Sequence, residues 1–245
     1  MADSDVAHLN LGLELQRRNQ RSAALTEYAI AWRMNPKSVL VNANIAGILA
    51  EENKPEKAAV YYDLVIKENN WLPYAFQNYG RVLVTLKRYD EAMKQFSAAA
   101  KIDPTKALPH VLMGKLWLQQ GRDAEAVKEL LTALKLEPGN LDVMILAASL
   151  LAASEDPSVR DKTQAYALAS EAVKLTDHRS PAALDVLAMS YAEQGKFDDA
   201  IQTQQQAIKL ANENNNMKDD IELLQKRLES YQKHQPWRES SKAPE

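Results

Sequence analysis

Cysteine is absent from the 245-residue sequence, and glycine occurs only seven times. Without cysteine the chain forms neither a disulfide nor a thiolate metal site. The few glycines leave no Gly-rich phosphate-binding loop, and no Gly-x-Ser-x-Gly elbow is present to hold a serine nucleophile. We therefore expect no catalytic residues, no cofactor and no enzyme activity.

Charge of a single sign is also lacking, because the formal net charge is only −3 although 26% of the residues are charged. Lysine and arginine are spread along the sequence and form no basic stripe, which argues against a nucleic-acid partner. The four histidines lack the i, i+4 spacing that places two ligands on one helical face. No metal site is expected.

Long apolar runs are missing as well. No segment approaches the roughly 20 uninterrupted apolar residues of a membrane span, which predicts no direct insertion into a membrane. The acidic start, residues 1–5, lacks the basic-then-apolar order of a secretory signal. These features predict a cytoplasmic location, and a different one if the sequence is a fragment of a longer protein.

What the sequence does contain is an internal repeat of 34 residues. Alanines recur at this spacing, and a bulky side chain follows each alanine after four residues: Ala24, Ala58, Ala92 and Ala126 precede Tyr28, Tyr62, Phe96 and Leu130. A second series precedes small residues: Leu11, Ile45, Tyr79 and Met113 stand before Gly12, Ala46, Gly80 and Gly114. Small residues at such positions permit close contact between helices.

These residues resemble the tetratricopeptide repeat (TPR), in which Gly, then Ala-x3-aromatic, then Pro mark one helix-turn-helix unit. In the first repeat the matching residues are Gly12, Ala24, Tyr28 and Pro36. The resemblance implies an all-α, right-handed α-solenoid of about six such repeats with a C-terminal capping helix. The predicted boundaries are 5–38, 39–72, 73–106, 107–140, 141–180 and 181–214 within an array over 1–214, a capping helix over 215–235 and a flexible tail over 236–245.

The last two repeats depart from the pattern. The second-helix alanine of the fifth repeat, Ala165, comes five residues later than the spacing predicts, and the extra residues fall at 154–158, where the sequence has turn chemistry. In the sixth repeat Gln204 replaces the aromatic residue, so we expect a weaker contact there.

Helical periodicity divides the first helix of each repeat into two faces, because successive residues advance by about 100 degrees. One face packs within the repeat, and the TPR resemblance implies that the other lines a concave groove that receives a peptide. The predicted groove residues are Asn44, Tyr74, Gln77, Asn78, Arg81, Leu108, Val111, Lys115 and Leu118. The same face continues in Asp142, Ile145, Ser149 and Ala152, and then in Ala182, Asp185, Met189 and Ala192. The alternative is that these positions only touch the neighbouring repeat.

Two finer hypotheses concern polar residues of this face. Arg81 and Lys115 occupy equivalent positions of adjacent repeats, which predicts that together they hold one carboxylate. Asn44 and Asn78 are predicted to donate amide hydrogen bonds to the backbone of a bound peptide.

The leading functional prediction is a non-catalytic scaffold with a protein or peptide partner, and two alternatives stay open. No capping helix precedes the first repeat, so Val6, Leu9 and Leu13 would instead be buried in a homodimer. The second alternative rests on the runs 184–188 and 191–195, the insertion at 156–157 and the pair 227–228, which together resemble C-terminal repeat regions of bacterial multidomain proteins. Some of those proteins are membrane glycosyltransferases, and the chain would then be a non-catalytic arm of a larger enzyme.

Overall fold

The computed structural model describes residues 4–68, 71–213 and 218–239, with backbone alone at 218–220. Thirteen helices lie in this part of the chain: α1 (Asp5–Arg17), α2 (Arg21–Met34), α3 (Val39–Glu51), α4 (Pro55–Glu68), α5 (Pro73–Thr85), α6 (Tyr89–Ile102), α7 (Leu108–Gln119), α8 (Asp123–Leu136), α9 (Leu141–Ala153), α10 (Lys162–Leu175), α11 (Pro181–Glu193), α12 (Phe197–Glu213) and α13 (Lys218–Gln232). Among the described residues, β-type backbone pairing is limited to one isolated bridge between Ser154 and Glu239. The predicted all-α fold class is confirmed.

The chain divides into two compact units, residues 1–105 and residues 106–245. In the first unit, α1 pairs with α2, α3 with α4 and α5 with α6. In the second unit, α7 pairs with α8, α9 with α10 and α11 with α12, and α13 packs on α12. Within each unit, the second helix of one hairpin also contacts the first helix of the next. Each unit is therefore a stack of helical hairpins.

The hairpins fall within the six predicted repeats, whose boundaries themselves stay a prediction. Helix α13 lies inside the range predicted for the capping helix, and residues 215–217 of that range lie outside the described part. No helix among the described residues is both long enough and apolar enough to cross a bilayer.

Several of the first helices follow a residue whose side chain caps the helix. The side chains of Ser38, Asn140 and Ser180 each accept a hydrogen bond from the backbone N–H three residues later. Helix α5 lacks such a cap and instead begins at Pro73. Proline has no backbone N–H, but at the first position of a helix an N–H would have no acceptor within the helix, so no hydrogen bond is lost. These local signals mark where α3, α5, α9 and α11 start.

The second-helix alanines share one environment. Each is the fourth residue of its helix and has 0% of its surface exposed: Ala24, Ala58, Ala92, Ala126, Ala165 and Ala200. The structure thus places Ala165 where the sequence predicted it. The additional residues are taken up between α9 and α10, where Asp156 Oδ1 accepts a 2.8 Å hydrogen bond from Ser158 N.

The turn inside a hairpin passes through one residue with a left-handed backbone. The φ angles are 60° at Asn19, 56° at Asn53, 58° at Lys87, 68° at Gly121 and 77° at Gly195. Glycine and asparagine adopt this conformation readily, whereas a lysine meets steric conflict between its Cβ and the following carbonyl oxygen.

Lys87→Gly is therefore expected to raise the free energy of unfolding by about 1 kcal/mol, since it removes that conflict. Chemical denaturation measures the change. The matched control is Lys94→Gly, an exposed position inside α6, where glycine is expected to lower stability by about 1 kcal/mol. A loss of stability in both variants would contradict the strain at Lys87.

The predicted flexible tail differs from the structure at residues 236–239. Glu239 N donates a 2.8 Å hydrogen bond to Ala153 O, and Arg238 Nη2 lies 2.7 Å from Glu193 Oε2. The side chain of Trp237 packs against the hydrophobic core of the second unit. Periodicity did not reveal these contacts because the segment is extended rather than helical. Residues 240–245 lie outside the described part.

Candidate functional site

A groove of about 650 Å³ lies in the second compact unit, formed mainly by the first helices α7, α9 and α11. Each helix contributes equivalent positions of the predicted face: Leu108, Val111 and Lys115, then Asp142, Ile145 and Ser149, then Ala182, Asp185 and Met189. Residues at i, i+3 and i+7 of a helix share one face, which explains why the repeat brings them together.

A second recess of about 300 Å³ continues this groove. It contains the predicted residue Leu118 together with Leu150 and Ser154. Leu146, Ser149 and Glu239 line both spaces, so the two are neighbouring parts of one groove. All four residues predicted for the groove from the fourth repeat, Leu108, Val111, Lys115 and Leu118, therefore lie in it.

The groove has an apolar floor and charged edges. Val111 is buried, whereas 51% of Leu108 is exposed although it is a large apolar residue. Lys115 supplies an exposed cation, and Glu137 and Asp142 supply exposed carboxylates in the same lining. Exposed apolar surface bordered by charges is typical of a site that contacts another polypeptide.

A buried polar cluster contributes Asp185, Arg227 and Glu239 to the lining of the groove. The Arg227 guanidinium pairs with the Asp185 carboxylate, and both side chains are less than a tenth exposed. Gln204 Nε2 donates to Asp185 Oδ1 over 2.8 Å, and Arg227 Nη2 donates to Glu239 Oε2 over 3.0 Å. Burial raises the pKa of the Asp185 carboxyl, while the charge of Arg227 and the Gln204 hydrogen bond oppose the rise.

The sequence prediction for Gln204 missed this role. It treated Gln204 as a weak substitute for an aromatic residue, but its side chain is fully buried and also donates to Leu224 O over 3.1 Å. The spacing could have indicated a contact between Asp185 and Gln204, which are 19 residues apart. The hydrogen-bonded pair His110 and Glu129 shows the same separation across another hairpin.

The groove residues predicted in the first compact unit form a smaller and more polar site. Asn78 and the exposed Arg81 line a recess of about 350 Å³ with Gly47, Ala50 and Tyr62. Asn78 hydrogen-bonds the Tyr62 hydroxyl, which opposes the effect of burial that raises the pKa of Tyr62 to about 12. One polar contact of Asn78 is thus made within the protein.

The other predicted residues of this unit do not line that recess. Asn44 Nδ2 donates a 2.7 Å hydrogen bond to Leu40 O of its own helix. Tyr74 is exposed and Gln77 is half-buried, and both lie on α5. Arg81 and Lys115 belong to different compact units, and their joint binding of a carboxylate stays a prediction.

The residues predicted for self-association do not form one exposed face. Val6 is 57% exposed, but Leu9 is only 8% exposed because it packs inside the first hairpin. Leu13 is half-buried. The burial of Leu9 leaves little of its side chain to contact a second copy, and the exposed apolar neighbour is Leu11, at 47%. The homodimer and the enzyme-arm alternatives stay predictions.

Stacked helical hairpins, small residues at the helix contacts and a groove lined by the first helices define an all-α helical-repeat protein of the solenoid class. Three family models, each described as a tetratricopeptide repeat, match residues 9–70, 83–140 and 181–214, well over half of the chain together. The chain belongs to the tetratricopeptide repeat family.

Two curated relatives are similar in sequence. The type IV pilus assembly protein PilF of Pseudomonas aeruginosa is 25% identical over 147 residues, which are 59% of this chain and 58% of PilF. The CTR9 homolog of Arabidopsis thaliana is 24% identical over 170 residues, which are 67% of this chain and 15% of that protein. The matches thus span less than two thirds of either relative. Similarity to PilF is consistent with the bacterial origin that the sequence resemblance implied.

Solved structures show the same fold. Pseudomonas aeruginosa PilF has a TM-score of 0.67 at 21% identity, over 91% of this chain and 96% of that one. YrrB, a TPR protein with an unusual peptide-binding site, has a TM-score of 0.66 at 18% identity, over 81% and 96% of the two chains. MamA has a TM-score of 0.56 at 11% identity, over 89% and 97%. At these identities the likeness concerns the fold alone.

Proposed function

We propose that the chain is a non-catalytic protein-interaction scaffold that binds a polypeptide segment in the groove of α7, α9 and α11. The TPR solenoid fold is consistent with such a role. The observation that carries the proposal is the convergence of equivalent positions from three successive first helices on one groove of about 650 Å³. A volume in this range accommodates several side chains of a bound segment.

The lining indicates what such a segment offers. Apolar side chains would cover Leu108, Ile145 and Leu146, and the removal of this surface from water supplies most of the affinity. Charged groups of the segment would face Lys115 on one side and Asp142 on the other, which sets the direction and register of the bound chain.

The double variant Leu108→Glu, Ile145→Ser tests this proposal with peptides selected from a displayed library against the unaltered protein. Its affinity for them is expected to fall at least about tenfold, because a carboxylate and a hydroxyl replace two apolar contacts. Fluorescence anisotropy measures the dissociation constants, and circular dichroism verifies that the variant is folded.

Val60→Glu is the matched control, since Val60 is 61% exposed and lies on α4, outside the groove. Its affinity for the selected peptides should equal that of the unaltered protein. Selected peptides that bind the double variant as tightly as the unaltered protein would show that they bind elsewhere.

A further inference from the structure

Residues 236–239, here named the strap, return to the end of α9 after α13. The last four residues of a helix leave carbonyl oxygens without a partner inside the helix. In α9, Ser154 N donates to Leu150 O, and Asp161 N donates to Leu151 O. The remaining two carbonyls accept from the strap: Ala152 O from Arg238 Nη1 at 3.5 Å and Ala153 O from Glu239 N at 2.8 Å.

The insertion at 154–158 creates this docking point. In the third repeat the turn itself supplies a donor to the carbonyl equivalent to that of Ala152, because Lys87 N donates a 2.9 Å hydrogen bond to Val84 O. In the fifth repeat the chain leaves α9 through the extra residues, and Ser154 forms a parallel bridge with Glu239. Arg160, which follows the insertion, and Arg238 both pair with Glu193.

One residue of the strap, Glu239, lies in the groove. Glu239 lines both recesses, and its carboxylate accepts the 3.0 Å hydrogen bond from the buried Arg227 guanidinium. Such a charge-assisted hydrogen bond is stronger than one between neutral groups. The Arg227 guanidinium also lies 5.7 Å from the centre of the Trp237 ring. The strap thus makes main-chain hydrogen bonds, an aromatic contact and an ion pair, which are the kinds of contact by which extended peptides bind proteins.

We propose that the strap is an intramolecular ligand of the groove, and that an extended polypeptide partner displaces it with a carboxylate that reaches Arg227. This inference rests on the function proposed above. Leu146 and Ser149 line both recesses, so departure of the strap would join them into one longer groove. Because the strap is tethered, its effective concentration is on the order of millimolar, and a partner must compete against it.

The first test uses a labelled peptide of residues 234–239 with blocked ends, added to the full chain. The full chain with Trp237→Gly and Glu239→Ser should bind this peptide at least about tenfold more tightly than the unaltered chain, because its own strap competes less. A peptide with Glu239→Gln should bind that variant at least about fivefold more weakly, since it lacks the charge that Arg227 receives.

The matched control carries Trp71→Gly and Glu213→Ser, which change the same residue types away from the groove, and it should bind like the unaltered chain. Equal binding to the unaltered and the strap variant, or no binding to the strap variant, would overturn the inference. If library-selected peptides still bind the groove in that case, the strap inference alone fails. If neither type of peptide binds, the proposed function fails with it.

Hydrogen exchange of the unaltered chain gives a second measurement that needs no variant. The backbone N–H of Glu239 should exchange slowly, and a saturating groove peptide should raise its exchange rate towards that of an unstructured segment. Rapid exchange without peptide, or protection that a bound groove peptide leaves unchanged, would refute the displacement.

Discussion

Arg227→Met is expected to lower the free energy of unfolding of the second compact unit by about 3–5 kcal/mol. The substitution leaves the Asp185 carboxylate buried without its cation, because the side chains of Arg227 and Asp185 are only 7% and 8% exposed. Gln204 would remain as a hydrogen-bond donor, but an amide does not compensate a buried charge. Urea denaturation followed by circular dichroism measures the change.

Two further variants separate charge from packing. Asp185→Asn combined with Arg227→Met removes both charges and is expected to recover most of the lost stability. Arg17→Met removes an exposed arginine, 79% exposed and 3.8 Å from Glu14, and should change stability by less than about 0.5 kcal/mol. If Arg227→Met is as mild as Arg17→Met, the buried pair does not contribute to stability as argued.

Gly80→Ala is expected to destabilise the first compact unit by about 1–3 kcal/mol, although alanine favours a helix more than glycine does. A Cβ at Gly80 would lie 2.7 Å from Phe96 Cδ1, closer than van der Waals contact allows. The Phe96 ring is 1% exposed and is held by the surrounding core, so it has little room to move away. Thermal and urea denaturation both measure the loss.

Gly47→Ala is the control, for which we expect a gain in stability instead of a loss. Gly47 also lies inside a first helix, but a Cβ there would meet only Tyr62 Oη, at 3.9 Å. The substitution is therefore expected to stabilise the protein by up to about 1 kcal/mol through helix propensity. Changes in the same direction at Gly47 and Gly80 would contradict the explanation by close helix contact.

The repeat made most of the fold predictable, because each copy places the same residue types in the same environment. Ala165 could be located despite the insertion, since only a small residue fits the buried position that Ala24 and Ala126 also occupy. The cluster of Asp185, Gln204 and Arg227 could not be predicted in this way. Arg227 comes from α13, outside the repeat, and no spacing relates it to Asp185.

The candidate site was predictable to the same extent. Helical periodicity identified the face that carries Leu108, Val111 and Lys115, because a face depends only on the rotation per residue. It did not determine which residues a neighbouring segment covers. Leu11 is exposed, whereas Tyr79 at the equivalent position stacks on Tyr62 of the preceding hairpin, with ring centres 6.1 Å apart.

The insertion at 154–158 also bears on how a repeat protein sets the length of its binding surface. Lengthening a surface turn costs little, about 0.6 kcal/mol for each doubling of its length, so α10 packs as the other second helices do. The same residues open the end of α9 to the strap, whose Glu239 side chain stands between the two recesses. The number of repeats therefore need not change for the binding surface to change in length. One turn determines how long a stretch of the groove is open to a ligand.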